Sequence, residues 1–540
     1  MRSIADEASA LVRKFKGAYS GEHGDGLCRG EWIAWQFGPK IDEALRAIKT
    51  RLDPIGLLAP GRLVDPPKMD DASLFRYPPA YRTIALKPFF DWSAWDVQND
   101  PATEQTTAPG SGGDRTGGLA KAVEMCNNNG HCRKFDAGTM CPSYRVTRDE
   151  QHVTRGRANT LRLALSGQLE GAGDGDPLAS DAVHDALALC VGCKGCKRDC
   201  PTGVDMAKMK LEATARRKAR HGLSLKDRLI AGLPDHARRW SRVPWLANLR
   251  NRVPVLARLG ERWLGLSARR SLPSWRRDTF WNVAPKLGLA SREEALAASK
   301  AAVLFVDTFN GNFETENAIA ATRVLQAAGY AVHVAAHAGG ALCCGRTYLA
   351  AGMPERARAK ARELLEAYAP FAERGIAIVG LEPSCLLTMR DEMLSMNLGP
   401  SAAIVAGKAF LFEEFIVREV RAGRFALALQ PARRPMLVHG HCHQKAFGAM
   451  PPVREALRLI PGAAPTTIES SCCGMAGSFG YEAEHHAISM QMAELALLPA
   501  IRDAPDAVIV ADGTSFRQQI ADGAGREALH VARVLADHLN

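Results

Sequence analysis

The sequence contains no apolar run that approaches the roughly 18 residues of a membrane-spanning helix. Its first residues, 1–7, also lack the basic and then apolar layout of a signal peptide. These two absences predict a cytoplasmic protein in a reducing compartment, where disulfide bonds are rare. The 14 cysteines of the 540-residue chain therefore indicate metal ligation rather than disulfide formation.

The chain divides by composition into six segments, and its 46% hydrophobic and 24% charged residues are typical of globular domains. The pattern predicts a multidomain protein with α and α/β parts. The segments are residues 1–66, a Gly/His-rich loop and a helix; 67–120, a linker with a Gly/Ser-rich end; 121–212, a cysteine-rich helical domain; 213–299, a basic helical connector; and 300–425 and 434–540, two copies of a repeat.

The repeat consists of short apolar strands that alternate with helices around a Cys-Cys-Gly sequence. Predicted strands at 301–306 and 376–379 in the first copy correspond to 435–439 and 507–511 in the second. An apolar helix is expected at the end of each copy, and these helices are 410–416 and 529–535. Continuous apolar strands between helices indicate parallel sheets, so we expect two similar α/β units.

Four cysteines in the middle of the chain have the spacing of an iron–sulfur ligand set. They are Cys190, Cys193, Cys196 and Cys200, and Pro201 follows the last of them. In this ferredoxin-type pattern three thiolates bind one cubane cluster, and the cysteine before proline reaches a second cluster. The pattern predicts a 4Fe-4S cluster, with a zinc site or buried structural cysteines as alternatives.

A partner motif lies upstream, and it is incomplete because Asn129 stands where the middle cysteine would be. Exchange of the last cysteines between the two motifs predicts two ligand sets. One set is Cys141, Cys190, Cys193 and Cys196, and the other is Cys126, Cys132 and Cys200. The second set could take a non-cysteine ligand, hold a three-iron cluster or hold none, in which case Cys200 completes a local four-cysteine set.

Each copy of the repeat carries three further cysteines. They are Cys343, Cys344 and Cys385 in the first copy, and Cys442, Cys472 and Cys473 beside His439, His441 and His443 in the second. Three thiolates could bind a divalent metal such as zinc or a further cluster. The alternative is that these cysteines are vestiges inside a packed core.

Residues 213–299 combine many arginines with tryptophans, among them Trp240, Trp245 and Trp263. Helices of this composition can lie on an anionic membrane surface, which would place the protein at the inner face of a membrane. A solvated collar packed against the cluster domain is an alternative. Nucleic-acid binding is another, but no recognition module accompanies the segment, and we expect no nucleic-acid partner.

Residues 20–26 contain a carboxylate and an imidazole between glycines, in the sequence Ser-Gly-Glu-His-Gly-Asp-Gly. Together with residues 52–61, Leu-Asp-Pro-Ile-Gly-Leu-Leu-Ala-Pro-Gly, this stretch resembles the end of the flavin-linked oxidases of the vanillyl-alcohol-oxidase fold. With the cysteine motifs and the Cys-Cys-Gly repeats in this order, the whole chain resembles bacterial FAD/iron–sulfur D-2-hydroxyglutarate or D-lactate dehydrogenases. The resemblance implies that residues 1–66 are the C-terminal part of an FAD-linked oxidase domain.

The resemblance implies that Glu22 is a ligand of a divalent metal that holds the substrate, and that His23 is the catalytic base. Three departures from the family pattern are visible. Ala59 stands where asparagine is usual, Ser515 replaces the last cysteine of the second repeat, and residues 307–310, Asp-Thr-Phe-Asn, begin the first repeat where a cysteine is common.

The family's flavin-binding domain should precede residue 1, so we expect another chain or a missing half to supply it, and little activity without it. The leading hypothesis is the iron–sulfur portion of a D-2-hydroxy-acid dehydrogenase that passes electrons from FAD to a quinone or a carrier protein. One alternative is an electron-transfer subunit of a glycolate or glycerol-3-phosphate dehydrogenase, in which residues 1–66 are a relic. Another is an iron–sulfur redox sensor.

Overall fold

The computed structural model describes residues 2–20, 23–77, 81–96, 114–135, 138–169, 175–337 and 340–540. The described residues up to Arg82 form a smaller compact unit, and residues 83–96 and 114–540 form a larger one. Within the described ranges, no helix has both the length and the apolar character needed to cross a membrane.

The smaller unit is helical and has a very small core. Its α-helices are Arg2–Lys14, Ile33–Phe37 and Pro39–Leu52. Its buried apolar side chains are Trp32, Ile33 and Tyr81, whereas thirteen of its large apolar side chains are exposed. The described part of this unit therefore leaves most of its apolar surface uncovered.

The first part of the larger unit is a helical domain around the cysteine motifs. Its α-helices are Leu119–Glu124, Pro142–Thr147, Thr154–Leu165, Asp181–Ala188, Gly195–Asp199 and Met206–His221. Residues 83–96, which the sequence assigns to a linker, place Phe90 and Trp92 in its core. The Gly/Ser-rich part of that linker before residue 114 lies outside the described residues, and the predicted domain boundaries stay a prediction.

The basic connector is a series of short helices, three of which have a proline in their first turn. They are Leu225–Ala231, Leu233–Trp240, Pro244–Ala247, Leu249–Arg252, Pro254–Leu264, Phe280–Val283 and Arg292–Ala297. Proline is tolerated in the first turn of a helix because the N–H that it lacks would have no partner there. The frequent prolines therefore divide this segment into short pieces.

Two four-stranded parallel sheets form the rest of the larger unit, which confirms the parallel sheets predicted from the repeat. The strands are β1 (Ala301–Phe305), β2 (Ala331–His333), β3 (Ala377–Gly380), β4 (Ala409–Leu411), β5 (Met436–Val438), β6 (Pro465–Thr467), β7 (Val508–Val510) and β8 (Ala528–Leu529). The strand orders are β2-β1-β3-β4 and β6-β5-β7-β8, so the two sheets have the same topology.

The terminal apolar segments of the repeats differ from the prediction of uninterrupted helices. Each begins as a strand, β4 or β8, and only then continues as a helix, Phe412–Arg421 or Val531–Asp537. The sequence of a short apolar run does not show whether it forms a buried strand or a buried helix. Here pairing with β3 or β7 makes the first residues of each segment a strand.

Helices cover the sheets and place the cysteines of the repeats. In the first repeat they are Thr308–Asn312, Thr315–Ala327, Arg346–Ala350, Pro354–Glu373, Pro383–Met389, Pro400–Lys408 and Phe412–Arg421. In the second they are Cys442–Ala446, Met450–Leu457, His486–Glu494, Leu497–Arg502, Thr514–Ala524 and Val531–Asp537.

Candidate iron–sulfur site

Left-handed backbone turns shape the loop that begins at Cys190. Gly192 and Lys194 both have a φ angle of 59°, so the chain turns between successive cysteines. Lys194 is held in this unusual conformation because its side chain is buried and its ammonium nitrogen lies 2.7 Å from the carboxylate of Glu392. Cys196 follows in the first turn of the next helix.

A second chain segment, 139–141, lies directly against this loop. A Cβ atom on Gly195 would lie only 2.8 Å from the backbone nitrogen of Met140, so the close approach requires glycine. The carboxylate of Asp199 accepts hydrogen bonds of 2.7 and 3.2 Å from two backbone N–H groups of this segment. These contacts fix the position of Cys141, which comes next in the chain.

The two segments border one small cavity with four cysteines in its wall. The cysteines are Cys141, Cys190, Cys193 and Cys196. Four thiols from two chain segments around a common volume are the ligand arrangement that a cubane cluster requires, so the residues present fit such a cluster. Cys200 is not part of this wall, and its Sγ lies 3.3 Å from Oγ1 of Thr202.

Burial dominates the electrostatics of these thiols. It raises the pKa of Cys193 and of Cys196 well above the ordinary value, and it also raises the pKa of Cys141. Thiolates rather than thiols bind metals, so these cysteines must lose their protons when a metal binds. Burial makes the deprotonation unfavourable, and the free energy of metal binding must compensate for it. The arrangement therefore suits metal ligation better than nucleophilic chemistry.

Sequence reasoning missed two cations beside the cavity, one on the buried Arg157 and one on the partly buried Lys210. The guanidinium of Arg157 lines the cavity and donates hydrogen bonds of 2.9 Å to the carbonyl of Ala186 and 2.8 Å to Oγ of Ser143. The ammonium of Lys210 donates a hydrogen bond to the carbonyl of Cys190. Both residues lie on helices outside the cysteine motifs, so no spacing in the sequence marks them.

The upstream cysteines, Cys126 and Cys132, are buried, and Cys132 lies close enough to Cys126 and to Cys141 to interact electrostatically with both. Burial raises the pKa of Cys132 to about 11. The amide of Asn129 is engaged in a local turn, since its oxygen accepts the N–H of His131 at 2.8 Å. The described contacts around this pair do not include Cys200, so a second cluster remains a prediction.

The first repeat brings its three cysteines together. Cys344 lies within hydrogen-bonding reach of both Cys343 and Cys385, and the hydroxyl of Thr308 hydrogen-bonds Cys343. The backbone N–H of Gly345 donates to Sγ of Cys343 at 3.3 Å. These residues come after β1, β2 and β3. They meet because the carboxyl ends of parallel strands lie at one edge of a sheet.

The second repeat repeats this arrangement. Cys472 lies within hydrogen-bonding reach of both Cys442 and Cys473, and the N–H of Gly474 donates to Sγ of Cys472 at 3.3 Å. Each repeat lacks one cysteine that the other repeat has. In the first repeat Thr308 begins the helix after β1, whereas in the second repeat Cys442 begins the helix after β5. In the second repeat Ser515 lies five residues after β7, whereas in the first repeat Cys385 lies five residues after β3.

The histidines of the second repeat are buried and neutral. Burial lowers the pKa of His441 to about 3, and it lowers the pKa of His439 and His443 well below the ordinary value. His439 is 3.0 Å from Oγ of Ser470, and His441 is 3.6 Å from the carboxylate of Glu382. Among the described residues, Nε2 of His439 and Nδ1 of His443 are buried and have no hydrogen-bond partner.

The second repeat lies against the cysteine loop of the cluster domain. Nε2 of His443 donates a hydrogen bond of 3.1 Å to the carbonyl of Gly192. Val191 and Cys193 pack against the core that contains Cys442, Cys472 and Cys473. The four-cysteine cavity and the cysteines of the second repeat are therefore neighbours.

The predicted catalytic pair lies only partly within the described residues. Glu22 lies outside them. His23 is exposed and lies two residues before a turn that is closed by the N–H of Arg29 donating to the carbonyl of Asp25. The proposed roles of both residues stay predictions.

Comparison with known proteins identifies three kinds of domain. Residues 1–63 match the C-terminal domain of FAD linked oxidases, residues 122–204 match the 4Fe-4S dicluster domain, and residues 307–390 and 436–516 match the cysteine-rich domain. These matches support iron–sulfur and FAD cofactors.

The chain is 25% identical to the D-2-hydroxyglutarate dehydrogenase of Escherichia coli strain K12, over 99% of this chain and 53% of that protein. It is also 25% identical to the enzyme of the same name from Pseudomonas putida, over 100% of this chain and 53% of that protein. The chain is therefore similar, along its whole length, to about half of each of these D-2-hydroxyglutarate dehydrogenases. This finding confirms the resemblance predicted from the order of motifs.

The chain spans about half the length of the curated relatives it matches. A further relative is a subunit of the anaerobic glycerol-3-phosphate dehydrogenase of Escherichia coli strain K12, which is 27% identical over 36% of this chain and 49% of that protein. The resemblance therefore extends to a protein that is named as a dehydrogenase subunit.

Proposed function

We propose that this chain is the iron–sulfur electron-transfer portion of an FAD-dependent D-2-hydroxy-acid dehydrogenase that acts on D-2-hydroxyglutarate or D-lactate. The observation that carries the proposal is the cavity bordered by Cys141, Cys190, Cys193 and Cys196. Cys141 and the other three cysteines come from two segments that are far apart in the sequence. Both segments lie within the region that matches the dicluster domain. The names of the relatives support the substrate class.

In the proposed reaction the hydroxy acid loses a hydride and a proton and becomes a 2-oxo acid. FAD takes up electrons as a pair, and iron–sulfur groups carry them away singly. His23 would accept the hydroxyl proton, and Glu22 would bind the divalent cation that orients the substrate. The exposure of His23 is consistent with a site that another polypeptide completes.

The smaller unit offers a surface for such a polypeptide. Its exposed apolar side chains include Ile41, Ile48 and Leu52 on one helix and Leu57 and Leu58 after it. Uncovered apolar surface of this extent is typical of an interface. The proposed occupant is a flavin-binding polypeptide of the vanillyl-alcohol-oxidase type, without which the chain would be inactive toward hydroxy acids.

The contact between the cysteine loop and the second repeat supports a direction for electron transfer. Cys193 packs against the core that holds Cys442, Cys472 and Cys473, so metal bound by those cysteines would be the next carrier. Zinc could not serve in this way because it has no redox chemistry. A quinone or a carrier protein would be the final acceptor, in the cytoplasm or at the inner face of a membrane.

The similarity to the glycerol-3-phosphate dehydrogenase subunit favours a second candidate function. In that case the chain transfers electrons for a separate, complete flavoprotein, and His23 has no catalytic role. The two candidates differ in whether a substitution at His23 slows substrate oxidation when the flavin-binding polypeptide is present.

The proposal is tested by anaerobic purification of the full chain, followed by iron and sulfide analysis and EPR spectroscopy. We expect about four iron and four sulfide ions per cluster and a reducible EPR signal. Cys193→Ser should abolish the signal of the main cluster, whereas Cys28→Ser should preserve it because Cys28 is exposed. A wild-type protein that binds no iron, even after anaerobic reconstitution, would overturn the proposal.

A further inference from the structure

We propose that residues 225–264 form a surface, here called the connector face, that binds the headgroup region of an anionic membrane. Nine of the fifteen exposed large apolar side chains in the described part of the larger unit lie in this segment. They are Leu225, Leu229, Trp240, Trp245, Leu246, Leu249, Val255, Leu259 and Trp263. Single exposed apolar residues are ordinary, but such a concentration marks an interaction surface.

The helix Pro254–Leu264 shows the arrangement most clearly. Val255, Leu259 and Trp263 follow one another at intervals of four residues and therefore lie on one face of the helix. Their exposed fractions are 61, 47 and 81%. The buried residue of this helix is the small Ala257, so the larger apolar face is directed to solvent. A helix that packs on a core buries its apolar face, whereas this amphipathic helix exposes it.

The charge of the connector face complements an anionic surface. Residues 225–264 contain eight arginines, one lysine and three carboxylates, which gives a net charge of +6. All three carboxylates have partners: Asp227 pairs with the ammonium of Lys218, Asp235 accepts the hydroxyl of Tyr348, and Glu261 accepts the N–H of Ala268 at 2.6 Å. Arg258 and Arg262 remain exposed beside the apolar stripe. The outward charge is therefore positive.

A lipid headgroup region accommodates both features at once. Arginines near an anionic surface each contribute about 1 kcal/mol to membrane association, and apolar side chains add to this when they enter the acyl boundary. Tryptophan favours this boundary because its ring is apolar and its N–H is polar. The phosphate backbone of a nucleic acid would form ion pairs with the arginines, but it offers no apolar environment for the aliphatic side chains of Val255 and Leu259.

The test is co-sedimentation of the full chain with vesicles of phosphatidylcholine alone or mixed with phosphatidylglycerol. We expect binding to the mixed vesicles that weakens with added salt. The double substitution of Leu259→Ser and Trp263→Ser should lower the partition constant about tenfold or more, and Arg258→Gln should lower it about fivefold. The matched controls Leu394→Ser and Leu495→Ser, at positions of similar exposure, should leave it unchanged.

Four results would overturn the inference. The first is no binding to the mixed vesicles, and the second is binding that the double substitution does not affect. The third is tight oligonucleotide binding that depends on Arg258 but not on Leu259. The fourth is a dimer, or a complex with a flavin-binding polypeptide, that covers the connector face and dissociates in the double variant. The measurement does not require bound iron, so its outcome is independent of the proposed electron-transfer function.

Discussion

The ammonium of Lys210 donates a hydrogen bond of 2.5 Å to the backbone carbonyl of Cys190, beside the four-cysteine cavity. Among the described residues, no carboxylate lies within 4 Å of this ammonium or of the guanidinium of Arg157 to form an ion pair. Burial lowers the pKa of Lys210, and an anionic ligand at Cys190 opposes that effect. These two cations and an anionic ligand set therefore stabilise one another.

The first prediction concerns the reduction potential of the proposed cluster. Reduction adds negative charge, so removal of a buried cation destabilises the reduced state. We expect Lys210→Met to make the midpoint potential more negative in an EPR-monitored redox titration. Arg217→Met is the control, because Arg217 lies on the same helix and pairs with the exposed carboxylate of Asp181. An unchanged midpoint in a protein with full iron content would exclude this role for Lys210.

The second prediction separates the two ways of completing the main cluster. If Cys141 is the fourth ligand, Cys141→Ser removes or alters the cluster of Cys190, Cys193 and Cys196, whereas Cys200→Ser leaves it intact. Iron content and EPR line shape measure both effects. If the local four-cysteine alternative holds instead, Cys200→Ser removes the signal and Cys141→Ser preserves it.

The third prediction uses a buried ion cluster at the base of the cysteine loop. Burial alone opposes ionisation of Glu392, but the cations of Lys194 and Arg346 outweigh it and lower the pKa of Glu392 from 4.5 to about 2. A depressed carboxyl pKa contributes stability that is present above pH 4.5 and lost as the pH falls toward 2. The shift corresponds to about 3 kcal/mol of unfolding free energy at neutral pH.

We therefore expect Glu392→Gln to destabilise the protein by about 3 kcal/mol at pH 7, as measured by urea unfolding, because it leaves buried cations without this partner. The difference from wild type should shrink as the pH is lowered from 4.5 toward 2. Glu494→Gln is the control, since Glu494 forms an exposed ion pair with Arg502. A difference that is the same at pH 7 and pH 3 would show that ionisation of Glu392 does not contribute.

The fourth prediction concerns Ala59, where the family usually has asparagine. Its φ angle is 46°, in the left-handed region that alanine disfavours and that glycine and asparagine tolerate. We expect Ala59→Gly to stabilise the local turn by about 1 kcal/mol. This stabilisation should slow the amide hydrogen exchange of residues 57–63, as measured by mass spectrometry.

The control for this turn is Ala47→Gly, in the helix Pro39–Leu52. Glycine in a helix interior is less favourable than alanine by about 1 kcal/mol, so this substitution should have the opposite sign. Equal destabilisation by both substitutions would contradict the argument from the φ angle of Ala59.

Much of the architecture was predictable because it depends on local patterns. Continuous apolar runs at 301–306 and 507–511 indicated buried parallel strands, and the structure has β1 and β7 there. The strands β2 and β6 were not predicted, since Ala331–His333 and Pro465–Thr467 do not form continuous runs of large apolar residues. Pairing with β1 and β5 makes them strands, and this pairing is a tertiary contact.

Spacing along the chain singled out Cys190, Cys193 and Cys196, because a tight loop can bring thiolates at these short intervals to one cluster. Spacing could not show that Arg157 and Lys210 lie beside those cysteines, or that the loop packs on the second repeat. Folding brings these groups together from distant helices, and their influence on a buried charge depends on distance and burial rather than on order in the chain.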